Sequence, residues 1–147
     1  MTQELLKKRQ LVLIKYLKNL INGYSSDKWL VKAEYSTNDN DKRVVVVQEQ
    51  DGQKTVLYGD ILPIYNYYMV DIYGLTIQEC KELSLLVGNL IGQSIRIEIK
   101  EANKLERWQI IFEQYVNPQA IEYMDIRRVG YNATLKCIVN KIYEKDL

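Results

Sequence analysis

The residues able to do chemistry crowd toward the end of the chain, in DIRRVGYNATLKCIVNKIY (residues 125–143). Arg127 and Arg128 beside Asp125 could clamp a phosphate, or could be two solvated arginines next to a turn carboxylate, an arrangement that is common and weak on surfaces. Asn132-Ala133-Thr134 spells an N-glycosylation acceptor, which has meaning only on a secretory route. Cys137 and the distant Cys80 form no CxxC pair, and the sequence contains no histidine. Histidine metal sites and the usual general base are therefore excluded. The two cysteines read as buried thiols in a reducing compartment, with a disulfide between them as the alternative. The seven glycines are isolated, and neither GxGxxG nor GxxxxGK[ST] occurs. With carboxylates scattered over alternating strand faces, the expectation is a protein that is not an enzyme and carries neither metal nor cofactor.

Tyrosine is the unusual component, with 12 residues against a single Phe. Tyr65, Tyr67, Tyr68 and Tyr73 fall in one short run. Tyrosine offers a large contact area with a polar tip, which suits a surface that must be stable both in water and against a partner. A face made of Tyr65, Tyr67, Met69 and Tyr73 is too large to leave in solvent and marks a candidate oligomer or partner interface. A buried strand whose hydroxyls reach the sheet edge accounts for the same residues. A stacking platform for single-stranded nucleic acid is a third possibility, opposed by Asp71 in the same run and by a net charge of only +1.

The elements that must position these residues follow from periodicity. From Gln3 to Asn22, Leu6, Leu13, Leu17 and Leu20 recur on one stripe of an amphipathic helix that Gly23 stops. WLVKAEY (29–35) and RVVVVQEQ (43–50) are strand-like, separated by the polar STNDNDK. Asp51-Gly52 turns into KTVLYGDI (54–61), giving a meander of antiparallel strands. After Pro63, IYNYYMVDIY (64–73) is apolar on both alternating faces, as a central strand would be. Thr76 and Glu79 have the form of a capping box, and Cys80, Leu83, Val87, Leu90 and Ile91 continue a second helix over 77–91 that Gly92 closes. SIRIEIK (94–100) and ERWQIIFEQY (106–115) are half-buried strands joined by the short EANKLE. Around Pro118 the spacing predicts a longer excursion. From Tyr131 onward, Tyr131, Ala133, Leu135, Cys137, Val139 and Tyr143 lie on one face of a last strand, with Asn132, Thr134, Lys136 and Asn140 on the wet face.

At 147 residues the chain is long enough for one domain, 1–147, that buries roughly 70% of its unfolded surface. The first residues carry charges among apolar positions and are not a signal peptide, and no run approaches the roughly 20 apolar residues of a membrane span. The expectation is a soluble protein made in the cytoplasm, with no membrane partner. Its expected fold class is α+β: a mainly antiparallel sheet of six to seven strands with two helices packed on one face.

The order of these pieces resembles the tail terminator (tail completion) proteins of tailed bacteriophages. In that family a helix and a strand meander lead to a strand and a capped helix, for which YYMVDIYGLTIQECKELSLLVGNLI is the counterpart here. A last strand follows a charged turn, as in MDIRRVGYNATLKCIVNKIY. The resemblance implies a structural virion protein that forms a ring, usually of six copies, on the head-proximal end of the tail tube. Such a ring stops tube polymerisation and forms the tail side of the head–tail joint. Its partners would be further copies of itself, the tail tube protein and a head-side connector or completion protein. DNA would be only a passing cargo, and Arg127 and Arg128 would face the lumen or neck. The ring would close by a heterologous contact, for which the tyrosine-rich strand and the first helix are the candidates. A head completion or connector protein, and a small nucleic-acid-binding domain using Arg127, Arg128 and exposed tyrosines, are the alternatives.

Overall fold

The computed structural model describes residues 3–50, 66–124 and 128–147. Helix α1 (Gln3–Tyr24) is followed by strand β1 (Leu30–Lys32), a single 3-10 turn (Thr37–Asp39), β2 (Val44–Glu49), β3 (Asn66–Tyr73), helix α2 (Ile77–Gly88), and strands β4 (Ser94–Glu101), β5 (Lys104–Tyr123) and β6 (Arg128–Asp146). The strands form one six-stranded sheet in the order β1-β2-β3-β6-β5-β4. All neighbouring strands are antiparallel except β1 and β2.

Both helices cover the same face of this sheet. Val12, Leu13, Leu17 and Ile21 from α1 and Cys80 and Leu83 from α2 belong to one buried cluster with Val45, Val47, Val70, Ile72, Leu135 and Val139 of the central strands. The fold is α+β, as the alternation of strand and helix patterns implies. β3 lies between β2 and β6, and its position explains why its sequence is apolar on both faces. No helix among the described residues is long and apolar enough to cross a membrane.

Several local expectations change. β1 pairs with β2 in parallel, not as one arm of a meander, and it lasts only three residues. STNDNDK is not a simple link: Ser36 and Asp39 form a capping box that folds a 3-10 turn, so the chain loops back and enters β2 in the direction of β1. α2 obeys its own capping box at Thr76 and Glu79 but ends at Gly88 rather than Ile91. Beyond it the amides of Leu90 and Ile91 bond to the carbonyls of Val87 and Gly88, three residues back, which tightens the chain out of the α-helix. Gly92 then takes φ +86°, and its N–H reaches the Phe112 carbonyl.

The expected excursion at Pro118 is absent, and β5 runs through it to Tyr123. Pairing with β6 passes from Val116↔Thr134 to Gln119↔Asn132, so Asn117, with φ +53°, and Pro118 bulge out of the ladder. A proline is tolerated there because the skipped position needs no N–H in the sheet. A second irregularity moves Tyr143 off the buried face. Pairing steps from Trp108↔Lys141 to Arg107↔Tyr143, Ile142 becomes the extra residue, and Tyr143 emerges into solvent beneath the Arg107 guanidinium, 5.0 Å from the ring centroid. EANKLE closes more tightly than a loop: Ala102 and Asn103 alone make the turn, with φ +47° and +62°, as the primed hairpin turns require. Asp51-Gly52, KTVLYGDI and Pro63 lie outside the described residues.

Candidate functional site

The sequence directs attention to the face of β3 turned away from the helices, carrying Tyr67, Met69, Asp71 and Tyr73; Tyr65 lies outside the described residues. Strand alternation places these four on one side and Tyr68, Val70 and Ile72 in the core. Tyr67 and Met69 are half-buried. The ammonium of Lys136, the residue directly opposite on β6, sits 5.7 Å from the Tyr67 ring centroid. These two residues remain open to a partner.

Tyr73 does not. It is only 8% exposed and stands between Tyr35, at 4.7 Å between ring centroids, and Tyr123, at 4.4 Å. The tilted rings cover Val44 and Val46 and form a second small core on this face. As a partner-facing residue Tyr73 is therefore a correction: its surface is already spent within the chain. Burial, reinforced by the nearby Asp71 carboxylate, drives the Tyr73 phenol well above its usual range, and the same two causes act on Tyr123. Both hydroxyls stay protonated across the physiological range.

Asp71 is buried at the centre of this group. It accepts from the side-chain amide of Asn132, its cross-strand partner, and the Tyr123 hydroxyl lies 3.2 Å away. That hydroxyl is also 3.1 Å from the Tyr131 carbonyl, and its single proton serves one acceptor at a time. The glycosylation reading of Asn132 gives way to this role as a donor to a buried carboxylate. Gly130 makes the packing possible, since a Cβ there would lie 1.9 Å from the Ile72 carbonyl oxygen and 2.9 Å from the Tyr123 ring.

Arg128 is the second correction. It is 8% exposed and spends its guanidinium inward: Nη1 donates to the Asp39 carbonyl at 2.9 Å and the Tyr35 hydroxyl at 3.2 Å, Nη2 to the carbonyls of Lys42 at 2.6 Å and Gly74 at 3.1 Å. The planar fork fits this set as a lysine could not. It ties the 36–42 loop and the β3–α2 junction to the start of β6, and it has no face to offer a lumen or a phosphate. Asp125 and Arg127 lie outside the described residues.

Around this staple the loop is held by further ion pairs. Lys32 Nζ is 2.7 Å from the Asp39 carboxylate, and this hydrogen bond, acting against burial, holds the Asp39 carboxyl below its usual range. Arg43 Nε is 2.9 Å from Glu79, whose carboxyl burial would raise but which Arg43 and the amides of Leu75 and Thr76 together pull down. Sequence reasoning missed Tyr35, Asp39, Asp71 and Tyr123 as members of one group. The only prior signal was the Ser36–Asp39 spacing of a capping box.

The cysteines are free and buried, as the sequence implies. Burial pushes the Cys80 thiol up to about 11, which is the opposite of what a nucleophile requires. A groove of about 340 Å³ lies between α2 and the bulged part of β5, lined by Lys81, Ser84, Leu85, Tyr115 and Pro118, with Ser84 and Tyr115 hydroxyls hydrogen-bonded at 2.9 Å. The chain matches no family model, no curated protein and no solved structure.

Proposed function

We propose that this protein is a structural component of a bacteriophage tail, a tail terminator that caps the tail tube as a ring of identical subunits and meets the head-side connector. The observation that carries the reading is the order of elements. An amphipathic helix precedes the short strands β1 and β2, β3 enters α2 through Gly74 and the N-cap Thr76, and the chain returns as the long β5–β6 hairpin. The resemblance drawn from the sequence rests on that same order. A role in assembly also fits the tyrosine-rich face, where Asp71, Tyr73, Tyr123 and Asn132 pack against one another further along β3 and leave Tyr67 and Met69 half-buried. In this reading Tyr67 and Met69, with the exposed Leu11 of α1, are the surfaces for neighbouring subunits, and the protein is made in the host cytoplasm and ends in the virion. The nucleic-acid alternative loses one of its two arginines, since Arg128 is committed to four internal acceptors.

Disrupting only this gene in a phage lysate and measuring tails by negative-stain electron microscopy tests the proposal. Overlong tubes of irregular length beside unattached filled heads are expected. Tails of uniform normal length would overturn it, and leaking heads on such a background would move the protein to the head side of the neck.

A further inference from the structure

The sheet ends in two unlike edges, and a third uncovered stretch lies between them. On one side β1 is three residues long. In the middle, β5 loses β4 as a neighbour after Ile111, but its uncovered length is kinked by shifts at Phe112/Gln114 and Val116/Gln119 and interrupted by Pro118. Short strands, bulges and proline are the usual protections against pairing with another chain. β4 lacks all three and is guarded only by the charges of Arg96, Glu98, Lys100 and Glu101: its eight residues, SIRIEIKE, pair with β5 in unbroken register from Ser94↔Ile111 to Glu101↔Lys104. Among the described residues no strand lies on its other side.

The two-residue hairpin fixes which backbone groups are free. A turn at Ala102-Asn103 makes Glu101 and Lys104 a hydrogen-bonded pair, so Ile95, Ile97 and Ile99 also direct their amides and carbonyls at β5. The Phe112 N–H bonded to the Gln93 carbonyl keeps the same parity. Ser94, Arg96, Glu98 and Lys100 therefore point their backbone groups outward.

The outward side chains then select a partner. If β4 meets a second β4 antiparallel about a two-fold axis through Ile97, Arg96 of each copy stands opposite Glu98 of the other, Ser94 opposite Lys100, and Ile95 opposite Ile99. All four outward-facing residues fall in hydrogen-bonded pairs. Centring one residue later, on Glu98, would set Glu98 against Glu98 and Arg96 against Lys100, so that every charged pair among the outward-facing residues repels. Glu98 also already accepts from Arg107 Nε at 2.9 Å on its own β5, so in the first register each carboxylate lies between two arginines. Beneath them Ile95 and Ile97 are only half-buried in the single chain, although they lie on its apolar face. We infer that β4 is a self-association edge and that its partner is a second copy of this chain, in the two-fold register centred on Ile97.

This inference does not rest on the tail reading, and the two fail separately. A two-fold contact would pair free chains into a dimer, or pair two closed rings face to face. Either way it doubles the assembled mass from a unit of 17.3 kDa. The test is sedimentation velocity on the full chain at micromolar to 100-micromolar concentrations, with charge reversals at exposed positions that leave the core untouched. Arg96→Glu and Glu98→Arg should each halve the mass, weakening the contact by roughly tenfold or more, since two-fold symmetry repeats every altered pair. The triple variant, Arg96→Glu with Glu98→Arg and Arg107→Glu, should restore the doubled species because the swapped charges again match both across the contact and against β5. Under oxidation Ile97→Cys should cross-link to itself. A wild-type chain that never doubles, single reversals that leave the mass unchanged, or a triple variant that fails to recover while its circular dichroism matches wild type would each overturn the inference.

Discussion

The two faces of β3 are closed by different physics. Toward the helices, Tyr68, Val70 and Ile72 are at most 2% exposed and lie among aliphatic side chains. Toward the other side, Asp71 and Tyr73 are nearly as buried, at 8% each, but what surrounds them is a carboxylate, an amide, three phenols and a guanidinium. The first face is stabilised by area removed from water, which is insensitive to geometry at the scale of a few tenths of an ångström. The second depends on each donor finding its acceptor, because an unpaired buried polar group costs more than a formed hydrogen bond gains. A face of the second kind holds a loop in one place, whereas a face of the first kind holds the domain together.

The largest effect that separates them is a truncation on the core face. Ile72→Ala should lower unfolding free energy by about 2–5 kcal/mol, through lost burial plus the cavity left between α2 and the sheet. Met69→Ala, three positions earlier on the half-open face, should cost about 1 kcal/mol or less. Urea denaturation of both variants gives the comparison directly. Equal losses would mean that the outer face is covered as completely as the core.

Arg128 is the sharper probe of the outer face. Arg128→Ala removes the guanidinium from the carbonyls of Lys42 and Gly74 and leaves the Asp39 carbonyl only the Lys42 N–H, and a loss on the order of 2–4 kcal/mol is expected. Arg128→Lys should recover less than half of it, because an ammonium cannot span acceptors on two segments at once. Hydrogen exchange should then report faster opening of residues 36–43 and 74–76 with the core strands still protected. Full rescue by lysine would mean that charge alone, rather than the fork, holds the loop.

These two faces also differ in how much of them could be read beforehand. The core face is legible: apolar residues at steps of three and four in α1 and α2, and the strand patterns of β3, β4 and β6, name Leu13, Leu17, Val70, Ile72, Leu83, Val87, Ile99, Leu135 and Val139 among the buried aliphatics. Thr76 and Glu79 announce the start of α2 because a cap is a local interaction written within four residues. What fails is whatever depends on partners distant in sequence. Arg128 reads as a solvated arginine until Asp39, Lys42 and Gly74 are brought to it across the sheet. Tyr73 reads as a surface for a partner until Tyr35 and Tyr123 close over it. Pro118 reads as a break because nothing local says that β6 skips past it, and Tyr143 reads as buried because the bulge at Ile142 cannot be seen in an alternating pattern. The parallel pairing of β1 is likewise set by the loop that Arg128 holds, not by β1 itself.

The smallest predicted effect is the pH dependence. Asp39 and Glu79 both have carboxyl groups held below their usual range in the folded chain, Asp39 by Lys32 and Glu79 by Arg43 and backbone amides against burial. The unfolded chain therefore binds more protons than the folded one as pH falls below the unfolded values of about 3.9 and 4.3. Their contribution is complete above those values and is lost as pH drops through the folded ones. Burial raises the thiols of Cys80, to about 11, and Cys137, so the opposite sign applies at the alkaline end. There stability is complete below the unfolded thiol value of about 8.5 and declines as pH rises toward the folded one. Asp39→Asn should flatten only the acid limb of a plot of unfolding free energy against pH, and Cys80→Ala only the alkaline limb. The phenols of Tyr73 and Tyr123 on the outer face are raised by burial as well, so the alkaline limb is shared between the two faces and Cys80→Ala should leave part of it; an Asp39→Asn variant that moved the alkaline limb too would show that its carboxylate titrates as one coupled set with those groups.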